Sequence, residues 1–447
     1  MKLLMRNTYL LTASSLVMQV IGLMFQIWLI GRIGASGIGL FQLVMSVGSL
    51  CSTLAVSGIR FTSTRLISEE IGFSRSGGIG MVMMRCIAYS AFFGLAAFAV
   101  LYSFAEPVGF LWIGDARTVR SLRILSVSMP FMSLSSVFAG YFTAVGRVHK
   151  SAAIQILEQL VRIALVVALL RPVANGNIES ACFSVCLAGT LAEIFGFLIF
   201  LITFLADKHK YYSIRNNSPK LTFRMLQIAV PLALSAYART SLTTLEHLLV
   251  PRELKKSGHS ADSALAGYGT VNGMVFPVLL FPSCFLSALA ETLVPNLTEA
   301  QVSDKADYIS DTVSKLLMKS LLFSVACSIF MFSTADALGM LIYKSTAAGK
   351  FIRIFIPLLP IMYIDIVTDG CLKGLGAMMW SMTVNIIDAL SGVILVILLI
   401  PRFGIMGYIA VIYLTEILNF ALSIGKLSSL TRIRLFRRTA KKHPHAN

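Results

Sequence analysis

The sequence predicts an all-α polytopic membrane protein: about twelve transmembrane helices in two six-helix lobes related by a parallel repeat. Three observations predict it. Only 13% of the 447 residues are charged, 56% are hydrophobic, and mean hydropathy is +0.80, whereas a soluble chain carries about 25% charged residues. The stretch from Gly37 to Glu70 is echoed from Gly267 onward at a constant spacing of 230 residues, with Gly269 against Gly39 and Glu299 against Glu69. Lys and Arg fall unevenly on the two sides of the predicted spans, as they do across a membrane.

A span needs about 20 apolar residues. By that measure the crossings lie near 8–31, 38–59, 80–105, 120–145, 151–171 and 178–205, then 224–250, 264–290, 312–338, 352–376, 378–400 and 405–428. The first is an uncleaved span: Lys2 and Arg6 precede a run too long for a signal peptide, and no small-residue cleavage site follows. The expected division is an N-terminal lobe over 1–205, a linker over 206–221, a C-terminal lobe over 222–430 and a basic tail over 431–447. With the N-terminus inside, the inner ends hold roughly twice as many Lys and Arg as the outer ends, so both termini are expected in the cytoplasm. The excess charge of +17 is then an inner-face and lipid-headgroup feature, with the tail from Arg432 to Lys442 placed to touch anionic lipids. No basic stripe sits on a soluble domain, so nucleic acid is not an expected partner.

The repeat reaches beyond the opening stretch. At the same spacing Arg123 matches Arg353, Pro130 matches Pro360, Gly140 matches Gly370 and Gly146 matches Gly376. Ser151, Gln155 and Glu158 match Ser381, Asn385 and Asp388. Six spans per half is even, so both halves enter the membrane in the same sense. The prolines and glycines within spans mark either bends used in movement or close packing of small residues.

Ionisable groups inside spans are expensive and face a cavity or a partner. Glu158 and Arg162 lie four apart on one helical face and either pair or serve a ligand. Arg239 stands near the middle of span 7. If Arg162 and Arg239 share a central cavity, their forked donors match phosphate or pyrophosphate oxygens, with Arg60 at the inner mouth or simply anchoring that end. Asp365, Asp369 and Asp388 with Asn385 offer oxygens for Na⁺ or a proton relay, or interhelical hydrogen bonds. No cofactor or resident metal is expected. The chain has no nucleophile elbow, P-loop, dinucleotide fingerprint or HExxH, and its predicted outer loops are short for a membrane enzyme. Its seven cysteines, all in apolar segments, read as packing residues.

The run GLFQL from Gly39, the segment LAVSGI ending at Ile59 and TRLISEE over 64–70 resemble the multidrug/oligosaccharidyl-lipid/polysaccharide (MOP) exporter superfamily. So do GYG from Gly267, FPS from Phe281, ALA from Ala288, LVP from Leu293 and TEA from Thr298. Within it, the chain is most similar to the stage V sporulation protein B and polysaccharide-biosynthesis branch, related to lipid II flippases and to multidrug (MATE-type) exporters. The resemblance implies a V-shaped pair of lobes in the bacterial cytoplasmic membrane. It implies export of an undecaprenyl-linked saccharide or peptidoglycan precursor by alternating access, for which the carboxylates of the second half suggest coupling to Na⁺ or H⁺; a cation-coupled drug antiporter of the same fold is the alternative. A monomer is expected. Two departures stand out. About twelve spans leave no place for the two further helices of lipid II flippases. The stretch from Phe276 to Pro282 also lacks the arginine those flippases carry there, so phosphate recognition is expected to fall on Arg162 and Arg239.

Overall fold

The computed structural model describes residues 2–72, 78–170, 178–208, 221–302 and 306–431. Most of the linker and all of the tail beyond Thr431 lie outside these residues. The helices, in order, are α1 (Lys2–Val56), α2 (Ile59–Gly72), α3 (Ile79–Pro107), α4 (Val119–Ala144), α5 (Val148–Leu170), α6 (Ile178–Lys208) and α7 (Leu221–Lys256). They continue as α8 (Ala261–Gly269), α9 (Phe276–Leu280), α10 (Ser283–Val302), α11 (Ala306–Tyr343), α12 (Thr346–Phe355), α13 (Leu359–Gly374) and α14 (Met378–Thr431). Among the described residues there is no strand.

Among the described residues, ten helical stretches are long and apolar enough to cross a membrane. Two of them, α1 and α14, span 55 and 54 residues, about 80 Å if straight, far more than the roughly 30 Å of hydrocarbon. Each folds back as a hairpin at a single glycine, Gly34 with φ 70° and Gly404 with φ 57°, a left-handed conformation that glycine reaches without penalty. Ten stretches, two of them doubled, give the twelve crossings predicted. The boundaries moved where local chemistry intervened. Helix α7 runs through Pro231 and Pro251 to Lys256, so the expected outer loop over 251–263 shrinks to a turn at Gly258. The predicted span 264–290 is instead interrupted at Phe281–Pro282, where proline has no N–H to give.

The repeat is geometrical as well as sequential. At the spacing of 230, left-handed residues close α3 and α11 at Gly114 (φ 71°) and Lys344 (φ 52°). Gly146 and Gly376 both sit at φ 72°. Arg123 pairs with Glu106 at 2.6 Å, and Arg353 with Asp336 at 2.7 Å. Each of these guanidinium groups also lies over a ring: Tyr102 at 5.7 Å and Phe332 at 5.6 Å. The glycine pair in the two equivalent helices packs alike, Gly140 against the Arg60 carbonyl and Ser63, Gly370 against Ala290. Close packing is therefore the role of these two glycines.

The two lobes meet along α1. Toward the rim that carries the Gly34 and Gly404 turns, Gly39 and Gly269, themselves repeat partners, cross backbone to backbone. A β-carbon on Gly39 would strike the Leu265 carbonyl, and one on Gly269 would strike that of Ala35. Residues 35 and 265 are again 230 apart, so the contact is self-complementary, as at a two-fold axis. Toward the opposite rim, α1 and α2 lie on α7. Tyr237 hydroxyl bonds Ser57, Gly58 packs on the Ala229 carbonyl, and Arg224 pairs with Glu69 at 2.6 Å.

Candidate functional site

The first hairpin and helices α4, α5 and α6 enclose a cavity of about 450 Å³ wholly within the first lobe. Its apolar walls include Phe25, Phe41 and Met129, and its polar lining includes Gln26, Gln42, Gln159, Ser52, Ser128, Arg162 and Glu193. Arg162 projects from α5, and one terminal guanidinium nitrogen donates to Glu158 Oε1 at 2.8 Å and to Glu193 Oε1 at 3.0 Å. The first bond closes one helical turn, as the spacing of four requires. The second crosses to α6. Glu158 fits because residue 196 is glycine: a β-carbon there would lie 2.6 Å from its carboxylate. The triad is half-buried, with Arg162 30% exposed and the carboxylates 15% and 13%. Arg162 Nε is buried without a hydrogen-bond partner.

The pairing alternative for Glu158 and Arg162 is what the structure contains, widened by Glu193. That third member was visible only as an intramembrane charge. Helical spacing does not say which neighbouring helix will face it, though Glu193 and Gly196, three apart on α6, mark the face that admits Glu158.

Arg239 is not brought to Arg162. It is exposed on α7, lines neither cavity described here, and has no ion pair among the described residues. The face of α7 turned to α1 carries Tyr237, Thr240 and Thr244, which bond Ser57, Thr53 and the Ser46 carbonyl. At about 100° per residue Arg239 falls on the far side of that face, on the stripe of Glu246 two turns away. Arg60 is likewise exposed, at the start of α2, with its backbone pressed on Gly140.

The second lobe holds a smaller cavity, about 160 Å³, lined by Asp365, Asp369, Ser381, Asn385, Asn419 and Ser423. Three of the four proposed ion-coupling residues therefore meet. Asp369 is already neutralised: Lys373, one turn on, pairs with it at 2.5 Å, and Ser381 hydroxyl donates to it. Asn419 donates to Asp365 at 3.3 Å, and Asn385 to the Ser381 carbonyl at 2.8 Å. Asp388 stands just beyond this lining. One oxygen each of Asp365 and Asp388 is buried with no hydrogen-bond partner. Glu416 lies within Coulombic reach of Asp388, Asp365 and Glu246, and the Glu246 carboxylate rests on Gly392 of α14. Sequence reasoning left Glu246 and Glu416 unassigned, because only the fold brings α7 onto α14.

The family model described as "Polysaccharide biosynthesis protein" matches residues 4–301, and the MatE model matches 257–398. Stage V sporulation protein B of Bacillus subtilis (strain 168) is 24% identical over 411 residues, 90% of this chain and 79% of the relative. A multidrug resistance MATE family transporter, solved in an inward-facing conformation, superimposes with TM-score 0.76 at 14% identity, covering 93% of this chain and 96% of that one. The lipid II flippase MurJ, inward closed, gives TM-score 0.71 at 15% identity over 93% of this chain and 87% of that one. Twelve crossings in two repeat-related lobes, and a family match over well more than half the length, place this chain in the polysaccharide biosynthesis protein family of the MOP exporter superfamily.

Proposed function

We propose that the chain is a flippase that moves a lipid-linked saccharide of the undecaprenyl-phosphate type across the bacterial cytoplasmic membrane, by alternating exposure of a cavity between and within its lobes. The observation that carries this reading is the first-lobe cavity. An apolar bundle has no structural need for three glutamines, several serines and the Arg162–Glu193 pair around a partly open space of about 450 Å³. A volume of that size suits a small polar head group, since ligand pockets span about 300–1,000 Å³. The relatives add to it: one is a sporulation protein of this family, and another is named for flipping lipid II. The lipid tail remains in the bilayer, so the protein needs to shelter only the head.

On this reading the head enters from the side bearing Arg60 and then meets Arg239, midway along α7, whose exposed guanidinium is free to meet the phosphates. The second-lobe carboxylates Asp388 and Asp365 with Asn385 take Na⁺ or H⁺ and couple its gradient to the movement, while Asp369 is held by Lys373. The second reading, a Na⁺- or H⁺-coupled drug antiporter, is favoured by one observation: Asp365, Asp369 and Asp388 fall within the segment that the MatE model matches.

The purified chain in proteoliposomes separates the two. Undecaprenyl-diphosphate sugars should be moved, and a cationic dye should not. Arg239→Ala should reduce lipid movement at least about tenfold, as loss of a charge-assisted phosphate contact does, with expression and thermal midpoint unchanged because the residue is exposed. Dye export without lipid movement would establish the antiporter instead.

A further inference from the structure

Resting on that reading, we propose that the first-lobe cavity receives the sugar and not the phosphate, and that Glu193, positioned by Arg162, makes it select against sugars bearing a negative charge. The argument is one of donors and acceptors. Among the described residues the charged side chains on the cavity wall are Arg162 and Glu193, and Arg162 is shared between Glu193 and Glu158. One guanidinium is divided between two carboxylates, so the triad has no positive charge to spare for an anion beside the cavity.

The neutral wall leans the same way. Ser52 hydroxyl donates to the Gly48 carbonyl at 2.8 Å, and Ser128 hydroxyl to that of Leu125 at 2.7 Å. Each has therefore spent its proton on its own helix and offers lone pairs to the space. Gln26 spends a side-chain N–H on the Gly273 carbonyl at 2.9 Å, and its amide oxygen remains. These three side chains add acceptors to a wall on which Gln42 and Gln159 bring both donors and acceptors and Glu193 brings only acceptors. A phosphate or a carboxylate brings only acceptors of its own, whereas a hydroxyl or amine brings donors. A pyranose also presents an apolar face that Phe25 and Phe41 are placed to cover. The repeat sharpens the point. The residue 230 beyond Arg162 is Gly392, so this built-in cation belongs to the first lobe alone and holds Glu193 toward the cavity.

The test uses the full chain in proteoliposomes and three synthetic polyprenyl-diphosphate lipids that differ only in one sugar: glucosamine, N-acetylglucosamine or glucuronic acid. The amine and the neutral sugar should cross at least about tenfold faster than the glucuronate, the penalty of a like charge beside a partly buried carboxylate. Glu193→Gln should bring the three rates within about threefold, while Arg162→Lys, which keeps the scaffold charge, should preserve the discrimination. Gln159→Arg, on the wall outside the triad, should raise the glucuronate rate, and it supplies the answer if Glu193→Gln does not fold. Equal rates for all three lipids in the unaltered protein, or an unchanged ratio in Glu193→Gln and Gln159→Arg, would overturn the inference and leave the flippase reading standing. No movement of any of the three would bring down both.

Discussion

Arg162 holds two carboxylates with one terminal nitrogen, which makes it the residue whose loss should be felt most in the first lobe. Removing one member of a buried ion pair costs about 3–5 kcal/mol because the remaining charge is stranded. The 30% exposure of Arg162 puts the expected loss at or below the lower end. Arg162→Leu should therefore lower the thermal midpoint of the detergent-solubilised protein, and adding Glu158→Gln should restore part of it, since the pair then no longer contains a stranded charge. Additive losses in the double variant would show that the two residues do not act on each other. Backbone strain gives a second residue-scale test. Lys344 occupies the left-handed position that glycine occupies in its repeat partner, Gly114. An L side chain pays about 1–2 kcal/mol there, so Lys344→Gly should raise the thermal midpoint, less the entropy that glycine adds to the unfolded chain. A lowered midpoint would mean that the lysine side chain contributes more than its backbone costs.

At the scale of elements, the crossing of the first hairpin over α8 depends on two glycines that no other residue can replace without separating the helices. Gly39→Val should force the lobes apart at the rim of the Gly34 and Gly404 turns. A cysteine placed at Ser36, beside Asp262 across the lobe junction, should then react faster with a membrane-impermeant maleimide from that side. Gly269→Val should do the same by symmetry, and an unaltered labelling rate in both would show that the crossing is not what seals that rim. Much of this scale was legible in the sequence. A fixed spacing of 230 residues placed Gly39 opposite Gly269 and Arg123 in the role of Arg353, because duplicated chains keep the contacts that duplicated turns impose. The twelve crossings were legible because each needs its own apolar run. What was not legible was rotation about the helix axes. The i, i+4 pair of Glu158 and Arg162 could be read from spacing alone, whereas Glu193 meeting Arg162, and Arg239 turning away from the face that meets α1, depend on how neighbouring helices present their faces. Asp369 shows the converse: its partner Lys373 lay one turn on in the sequence and was passed over.

For the whole molecule, the repeat matters most where it breaks. The backbone is doubled, yet the charges within the two lobes are not. In the first lobe Arg162 sits among Glu158 and Glu193 and supplies a permanent cation. In the second, the corresponding residue is Gly392, and the room it leaves is filled by the carboxylate of Glu246. Glu246, Asp388, Asp365 and Glu416 then stand within mutual electrostatic reach, and none of them has an ion pair among the described residues. Buried like charges cannot all remain ionised without a counter-charge, which supports the proposal that this lobe takes its cation, Na⁺ or H⁺, from solution. The proposed division of labour sets a lobe that carries its own cation, Arg162, beside the head group, and a lobe whose clustered carboxylates have no ion pair among the described residues at the coupling ion. If it holds, Asp388→Asn and Glu246→Gln should flatten the dependence of lipid movement on an imposed Na⁺ or proton gradient while leaving residual, gradient-independent movement. Glu158→Gln should change the rate yet keep the full gradient response. The measurement is the initial rate of lipid movement in proteoliposomes with each gradient imposed singly. A gradient response that survives Asp388→Asn and Glu246→Gln, or vanishes in Glu158→Gln, would assign the coupling ion to the first lobe and make Arg162 its competitor rather than its substitute.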